Sequence, residues 1–247
     1  MKRANLDHEM RRNNMDDFTV ADSLRAWEAN AAFWDESMGD ASNIFHREVV
    51  RPRVSELLDV HPGELILEAG CGNGNYSAWM AEQGARVVAF DYSPRMIALA
   101  KRRREKWLDR IDSRVADGTD EAQLMALAQE RPFDKAVSCM ALMDMTEVEP
   151  LLRCVSAMLR EGGCFVFATQ HPCFVTLTDR YLTPHAYRGE AIAGQPVQHC
   201  YYHRSLQDLL GLCFRSGLTV DGLYETCYGQ KEKPDVLIVR ARKGVNG

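Results

Sequence analysis

A strand-like segment that runs directly into a glycine-rich turn constrains the fold of this chain more than any other feature. The segment LILEA at 65–69 is apolar apart from one acid, and GCGNG at 70–74 follows it with glycine at alternate positions. Glycine lets the backbone turn tightly and approach a ligand where a Cβ would collide. A helical pattern begins at about Tyr76, and its first turn would point unpaired N–H groups and a positive dipole end at the loop. The segment therefore predicts a ligand-binding strand–turn–helix unit.

The residues around this turn indicate which ligand it binds. A second strand-like run, RVVAFD at 86–91, ends in Asp91, where α/β nucleotide-binding folds usually hold a ribose hydroxyl pair. The dinucleotide fingerprint G-x-G-x-x-G is not met, because Asn75 occupies its last position. Glu68 at the turn's entrance would repel a pyrophosphate and attract an ammonium group. A ligand with a ribose and an amino-acid tail fits better than a dinucleotide, while a plain strand–turn–helix is the structural alternative.

The alternation of elements along the chain predicts the fold class. Strand and helix patterns alternate five times between 65 and 169, with helices at about 120–129 and 148–160 and a fifth strand at 164–169. This alternation predicts an α/β fold with a parallel sheet covered on both faces. The last two strands, 218–227 and 236–240, are joined by a short polar link and should pair antiparallel. We expect residues 1–20 to be a disordered tail and 21–247 to be a single domain. Within it we expect an N-terminal helical cap at about 21–60, a core at about 64–243 and a lid insertion at about 171–204.

Composition limits the partners of the chain. The 247 residues are 46% hydrophobic and 26% charged, with a formal net charge of −5, which is ordinary for a soluble globular protein and argues against nucleic acid as the main partner. No apolar run reaches the length needed to cross a bilayer, and no secretory signal is visible at the N-terminus. We expect a cytoplasmic protein without a membrane partner, monomeric or homodimeric. The basic run at 101–106 should be a solvated helix face rather than an RNA-binding patch.

The glycine motif, with Glu68 before it and Asp91 after it, resembles the first motif of the class I S-adenosylmethionine-dependent methyltransferases. The resemblance spans about 65–240 and implies a Rossmann-like, mostly parallel seven-stranded sheet of order 3-2-1-4-5-7-6. It also implies S-adenosylmethionine as cofactor and S-adenosylhomocysteine as product. Strand four ends SCMALMD at 138–144, an apolar departure from relatives that place a substrate motif there. The N-P-P-Y loop of amide-methylating DNA enzymes is absent.

The resemblance assigns roles residue by residue. Gly70, Cys71 and Gly72 would line the methionine part of the cofactor, and Asp91 would hold the ribose. Tyr92 and Met96 would flank the adenine, Asp117 would accept from its amino group, and Gly118 would lie beside it. Cys139 and Met140 would pass under the sulfonium. With Glu68, the expected cofactor-binding set is Glu68, Gly70, Cys71, Gly72, Asp91, Tyr92, Met96, Asp117, Gly118, Cys139 and Met140.

A second group of segments resembles the UbiE/methyltransferase-11 group of small-molecule enzymes. These segments are Trp27, FWD at 33–35, NIFHR at 43–47, HPCF at 171–174 and HRSL at 203–206. The resemblance implies a small organic acceptor with an O, N or C nucleophile. The expected substrate-binding residues are Trp34, His46, Tyr201, His203 and Arg204. The rival functions are an RNA or protein methyltransferase, and a non-catalytic or dehydrogenase-like nucleotide binder.

A general base is needed only if the acceptor keeps its proton at neutral pH. His171 directly follows strand five, and imidazole titrates in the useful range, so we predict His171 as the base. The alternative is a histidine that caps the strand end. His46 and His203 are second choices, and Arg204 beside His203 could bind a substrate carboxylate.

We expect no metal site. His199 and His203 would share a metal only if their segment were helical, whereas CYY at 200–202 is typical of a strand. No C-x-x-C pair occurs among the eight cysteines, so they should be buried free thiols. The tyrosines of the lid would either line an aromatic acceptor pocket or pack the lid onto the sheet.

Overall fold

The computed structural model describes residues 18–245 of the chain. The predicted tail at 1–20 lies outside the described residues except for its last three positions. Of these, Thr19 caps the first helix, because its side-chain oxygen accepts from the Asp22 amide. The Thr19 amide in turn donates to the Asp22 carboxylate. Helical structure therefore begins at Val20.

A seven-stranded sheet forms the centre of the molecule, in the order β3-β2-β1-β4-β5-β9-β8. Its strands are β1 Leu65–Ala69, β2 Arg86–Asp91, β3 Ile111–Val115, β4 Phe133–Cys139, β5 Leu159–Gln170, β8 Leu218–Thr226 and β9 Val236–Lys243. β9 runs antiparallel to both β5 and β8, and the other pairs are parallel. The predicted order is confirmed, because its strands six and seven are β8 and β9 here. The numbers differ because the lid contributes two strands, β6 His185–Gly189 and β7 His199–His203.

Helices cover both faces of the sheet, as the sequence predicted. The helices are α1 Val20–Met38, α2 Arg51–Leu58, α3 Asn75–Glu82, α4 Pro94–Arg103, α5 Glu121–Met125, α6 Glu149–Met158 and α7 Leu206–Arg215. Alternate residues of β1 face opposite cores: Leu65 and Leu67 pack in one with α5, α6 and α7, and Ile66 packs in the other with α2, α3 and α4. This alternation is the period of a strand buried on both faces.

The boundary between α6 and β5 differs from the sequence prediction. Helix was expected to about residue 160 and strand from Cys164, but α6 ends at Met158 and β5 begins at Leu159. Leu159 pairs with Phe133, and pairing resumes with Cys164 opposite Lys135 after an irregularity. Gly162 in this bulge has φ +69°, a conformation that glycine adopts without strain. The helix predicted for 120–129 is also shorter, since α5 ends at Met125.

The N-terminal cap consists of α1, a π-helical turn at His46–Val50 and α2. α1 ends where Gly39 adopts φ +51°. Two arginines of the predicted solvated basic run connect this cap to the glycine loop. Arg103 forms an ion pair with buried Asp35, and Arg104, itself 6% exposed, donates to Asn75 Oδ1 at 2.7 Å. These two side chains are therefore structural, while Lys101 and Arg102 remain exposed.

The lid is more regular than the sequence indicated. β6 and β7 form an antiparallel hairpin, which agrees with the strand-like character of 200–202. The hairpin is tied to α1 through Asn30, whose side-chain amide exchanges bonds of 2.7 and 3.0 Å with the backbone of Val197. The lid therefore packs on the cap across the carboxyl edge of the sheet.

Candidate active site

The glycine loop turns tightly at three positions. Gly70, Gly72 and Gly74 have φ values of +71°, +54° and +74°, in the left-handed region that favours glycine. A Cβ at Gly70 would lie 2.4 Å from Cβ of Ala141, so the loop after β4 closes directly over it. The loop thus brings backbone, rather than side chains, to the carboxyl ends of β1 and β4.

Asp91 at the end of β2 faces this loop. Its Oδ2 accepts from the amide of Gly72 at 3.0 Å, and its Oδ1 accepts from the amide of Ser93 at 3.0 Å. Burial raises the pKa of Asp91 to about 6, against the effect of these two donors. A carboxylate so placed is suited to accept further hydrogen bonds from ligand hydroxyls.

A cleft of about 730 Å³ opens over Asp91 and the loop. Eight of the predicted cofactor residues line it: Gly70, Gly72, Asp91, Tyr92, Asp117, Gly118, Cys139 and Met140. Apolar walls come from Phe90, Ala116 and Met145. Oδ1 of Asp117 accepts from the amide and hydroxyl of Thr119 at 2.8 Å, which fixes the turn after β3. The structure therefore brings together residues from four separate strand ends.

The other predicted cofactor residues lie beside or behind this cleft. Glu68 and Cys71 line an adjoining recess of about 410 Å³ with Arg51 and Tyr76. Glu68 is 3% exposed and accepts from the Ser77 hydroxyl, and burial raises its pKa to about 7. Met96 is fully buried in α4 and does not line the cleft, so its predicted contact with adenine is not supported. It follows the Ser93 cap, where the helix turns this side chain inward.

A larger chamber of about 1700 Å³ adjoins the cleft. Four aromatic rings from the cap and the lid line its inner wall, those of Trp27, Trp34, His46 and Tyr201. Its mouth carries both signs of charge: Arg47, Glu190, Lys231 and Asp235. Three of the predicted substrate residues, Trp34, His46 and Tyr201, thus meet at one chamber.

The cleft and the chamber meet at a shared boundary. The residues that line both are Trp27, Trp34, His46, Met140 and Asp144. The three aromatic side chains among them are in contact. The ring centroids of Trp27 and Trp34 are 5.1 Å apart, and those of Trp34 and His46 are 6.3 Å apart. We call these five residues the junction. Burial and the charge of Arg51 lower the pKa of His46 to about 4, so its imidazole is neutral at pH 7.

His171 lies outside the cleft and the chamber. It is 1% exposed, its Nδ1 accepts from the Cys173 amide at 3.2 Å, and its Nε2 lies 2.7 Å from Oε1 of Glu225. Because Nδ1 is an acceptor, the proton of the neutral ring is on Nε2 and is donated to Glu225. Both nitrogens are thus occupied, and the geometry favours the strand-end structural role over a general base.

His203 and Arg204 do not reach the chamber either. The His203 ring lies 2.9 Å from the carbonyl oxygen of Tyr181 and 3.2 Å from the Thr176 hydroxyl. Arg204 donates to the backbone carbonyls of Met145 and Thr146 at 2.6 and 2.8 Å. The expected substrate contacts are not supported at these two positions, because their polar groups bind the lid and the loop after β4.

Sequence reasoning placed Trp27 in the N-terminal cap but missed Asp144 as a lining residue. The segment 138–144 was interpreted as apolar, yet its last residue, Asp144, brings a carboxyl to the junction, where Oδ1 accepts from Trp27 Nε1 at 3.3 Å. The available signal was an acid a few residues beyond the carboxyl end of a parallel strand, the position at which α/β folds bind ligands.

Two structural features are absent from residues 18–245. No three His, Cys, Asp or Glu side chains come together there as a possible metal site. No helix in that range has both the length and the apolar character needed to span a bilayer.

Known proteins share this architecture. A family model described as a methyltransferase domain matches residues 66–163. The ubiquinone biosynthesis O-methyltransferase of Methylocella silvestris is 37% identical over 108 residues, which cover 43% of this chain and 40% of that protein. The demethylmenaquinone methyltransferase of Tropheryma whipplei is 26% identical over 164 residues, covering 64% and 65%. The crystal structure of an S-adenosylmethionine-dependent methyltransferase from Mesorhizobium loti matches with a TM-score of 0.65 and 28% identity, covering 78% of this chain and 96% of that one.

The sheet order, the glycine loop and these matches define a class I S-adenosylmethionine-dependent methyltransferase fold. Within that class, the similarity to a ubiquinone biosynthesis O-methyltransferase and a demethylmenaquinone methyltransferase agrees with the resemblance of its motifs to the UbiE-like group. The chain spans less than half the length of the ubiquinone O-methyltransferases that it matches. Their activities are therefore properties of those proteins.

Proposed function

We propose that this chain transfers a methyl group from S-adenosylmethionine to the O, N or C nucleophile of a small organic acceptor, with S-adenosylhomocysteine as product. The observation that supports this most is the junction. One cleft carries the features of a nucleoside site, the neighbouring chamber has several aromatic rings in its wall, and the same five side chains line both. Two ligands bound there would meet at a single boundary.

The residues present fit the cofactor. The left-handed glycines let the backbone approach a ligand, and a Cβ at Gly72 would come no closer than 3.6 Å to another group, the Trp34 indole nitrogen. Asp91 would hold the ribose hydroxyls, and Tyr92, Asp117 and Gly118 would border the adenine. Glu68, Gly70, Cys71 and Gly72 would border the methionine end, with the Glu68 carboxylate suited to an ammonium group. When bound, S-adenosylmethionine supplies an electrophilic methyl group on a sulfonium.

The chamber indicates the character of the acceptor. Aromatic inner walls and a polar mouth are typical of pockets for small ligands with an apolar body and a polar end. Similarity to proteins named a ubiquinone biosynthesis O-methyltransferase and a demethylmenaquinone methyltransferase supports an aromatic acceptor for this chain as well. The walls hold the acceptor and exclude water, and orientation of this kind supplies much of the acceleration in a displacement reaction.

The proposal is tested by incubating the protein with methyl-labelled S-adenosylmethionine and a metabolite extract supplemented with phenols, amines and quinols. We expect label in a small-molecule product, and loss of that product with Asp91→Ala. The exposed Asp109 provides the control variant, Asp109→Ala, which should retain it. Label transferred only to RNA or protein, or no transfer by a protein that binds S-adenosylhomocysteine, would contradict the proposal.

A further inference from the structure

Asp144 brings a buried carboxyl group to the junction. It ends the short 3₁₀ turn Leu142–Asp144 after β4 and is 9% exposed. It lines both the cleft and the chamber. Oδ1 accepts from Trp27 Nε1 at 3.3 Å, and no side chain of the described residues donates to Oδ2 within hydrogen-bond distance. One carboxylate oxygen is therefore held by the protein, and the other is left for a ligand.

The backbone that carries Asp144 is fixed on both sides. Its carbonyl accepts from the Ser23 hydroxyl of α1 at 3.2 Å, and its amide donates to Ala141 at 3.0 Å. The buried guanidinium of Arg204 binds the carbonyls of Leu142 and Met145, at 3.3 and 2.6 Å. A functional group performs best when its support is rigid, and here the cap, the lid and the loop after β4 all contribute to that support.

We propose that Asp144 is the catalytic carboxylate that accepts the proton of a hydroxyl acceptor, an inference that rests on the proposed function. The acceptor O–H would donate to Asp144 Oδ2 from the chamber side. As the new O–CH₃ bond forms, the S–CH₃ bond breaks and its electron pair stays on sulfur, which becomes a neutral thioether. The hydroxyl proton passes to Asp144, which later releases it to solvent. Trp27, Ser23 and Arg204 are positioning residues in this arrangement.

His46 is the other junction side chain that can take up a proton, and it fits the role less well. Its ring lies against Trp34 and Phe45, and no polar side chain of the described residues holds it in one orientation by a hydrogen bond. Its pKa is lowered to about 4, whereas burial raises the pKa of Asp144 well above its usual range. An imidazole with so low a pKa accepts a proton weakly at neutral pH, so the fixed carboxylate of Asp144 fits the role better.

The groups around Asp144 set its titration. Asp91 at the end of β2 repels its charge, and the Trp27 N–H stabilises it. The remaining titratable groups that face it, besides His46, are Tyr92, Tyr187, Tyr201 and Cys200. Burial raises the pKa of each of them, which disfavours their charged forms. Removing the Trp27 hydrogen bond is therefore the simplest way to change the pKa of Asp144.

The experiment uses the full chain and the hydroxyl acceptor identified with labelled S-adenosylmethionine. Asp144→Asn keeps the shape and the Trp27 bond but removes the base, so kcat should fall by about 10²- to 10⁴-fold while calorimetry shows S-adenosylhomocysteine affinity nearly intact. Trp27→Phe removes a donor to the ionised carboxylate, which raises the pKa of Asp144. The acidic limb of its kcat–pH profile should therefore move to higher pH. Trp107→Phe is the matched control, because the buried Trp107 indole N–H has no hydrogen-bond partner among the described residues.

Each outcome decides the inference. Turnover by Asp144→Asn close to that of wild type, or an unshifted acidic limb in Trp27→Phe, would overturn it. So would a wild type that methylates only amines or carbon acceptors. If Asp144→Asn does not fold, the Trp27→Phe profile decides. Absence of S-adenosylhomocysteine binding to the wild type would instead contradict the proposed function itself.

Discussion

His171 Nε2 lies 2.7 Å from Glu225 Oε1, which ties the start of the lid to the edge strand β8. Since the Cys173 amide occupies the other ring nitrogen, we predict that His171→Asn mainly affects stability. The melting temperature should fall, as expected for the loss of a hydrogen bond to a carboxylate, and turnover should change little. Glu225→Gln keeps an acceptor for the ring, so its melting temperature should fall less than that of His171→Asn. A turnover loss of about 100-fold at an unchanged melting temperature would restore His171 as a base.

Gly72 and Gly63 allow a matched test of the loop. Both have positive φ, +54° and +85°, and a new Cβ at either would meet no atom within 3.5 Å. Alanine at each site should cost a similar backbone strain of about 1–2 kcal/mol in the free energy of unfolding. Only Gly72→Ala should weaken S-adenosylhomocysteine binding, because only Gly72 faces the cleft. Equal affinities of the two variants by calorimetry would place the cofactor elsewhere.

The sheet could be predicted from the sequence because its signals are local. Glycines at fixed offsets, the acid of Asp91 at a strand end and the alternation of strand and helix all report backbone requirements that hold without tertiary context. The final antiparallel pair was likewise visible from the short link before Val236. These features position the cleft, so eight of the predicted cofactor residues line it.

The lid and the second chamber could not be predicted in the same way. Whether His203 or Arg204 faces a substrate depends on which partners the folded lid offers, and here those partners are backbone carbonyls distant in sequence. Asp144 was missed because its role depends on Trp27, which lies 117 residues away. Arg103 was likewise predicted to be a solvated cation, because the sequence does not show that the fold brings Asp35 beside it.

Glu68 should make stability depend on pH. Burial raises its pKa in the folded protein from the ordinary 4.5 to about 7, so the stability it contributes is complete below about pH 4.5 and is lost as pH rises through 7. The loss corresponds to roughly 3 kcal/mol. Denaturant unfolding should show Glu68→Gln gaining stability relative to wild type between pH 5 and 8 by an amount of that order. Glu130→Gln, at an exposed site, should follow wild type. If the free energies of unfolding of wild type and Glu68→Gln differ by the same amount at every pH, the raised pKa is contradicted.

The cap should respond to the cofactor. Trp34 of α1 borders the glycine loop, since its Nε1 is 3.6 Å from the place of a Gly72 Cβ, and Asp35 binds the Asn73 side chain at 3.1 Å. Hydrogen exchange of α1 should therefore slow when S-adenosylhomocysteine is bound. The helix α6 packs in the core on the other face and should show little local change. Equal protection of α1 with and without ligand would reduce the cap to a static packing element.

Titration calorimetry of wild type and Asp91→Ala with S-adenosylhomocysteine and NAD⁺ tests the central claim most directly. We predict that the wild type binds S-adenosylhomocysteine and not NAD⁺, and that Asp91→Ala loses about 1.5–3 kcal/mol of affinity, since a charge-assisted bond to the ribose is removed. Because the pKa of Asp91 is about 6 in the free protein and the ionised form accepts from the hydroxyls, wild-type affinity should also fall below pH 6. Binding of NAD⁺ with equal affinity, or unchanged binding of S-adenosylhomocysteine by Asp91→Ala, would contradict the assignment of this cleft.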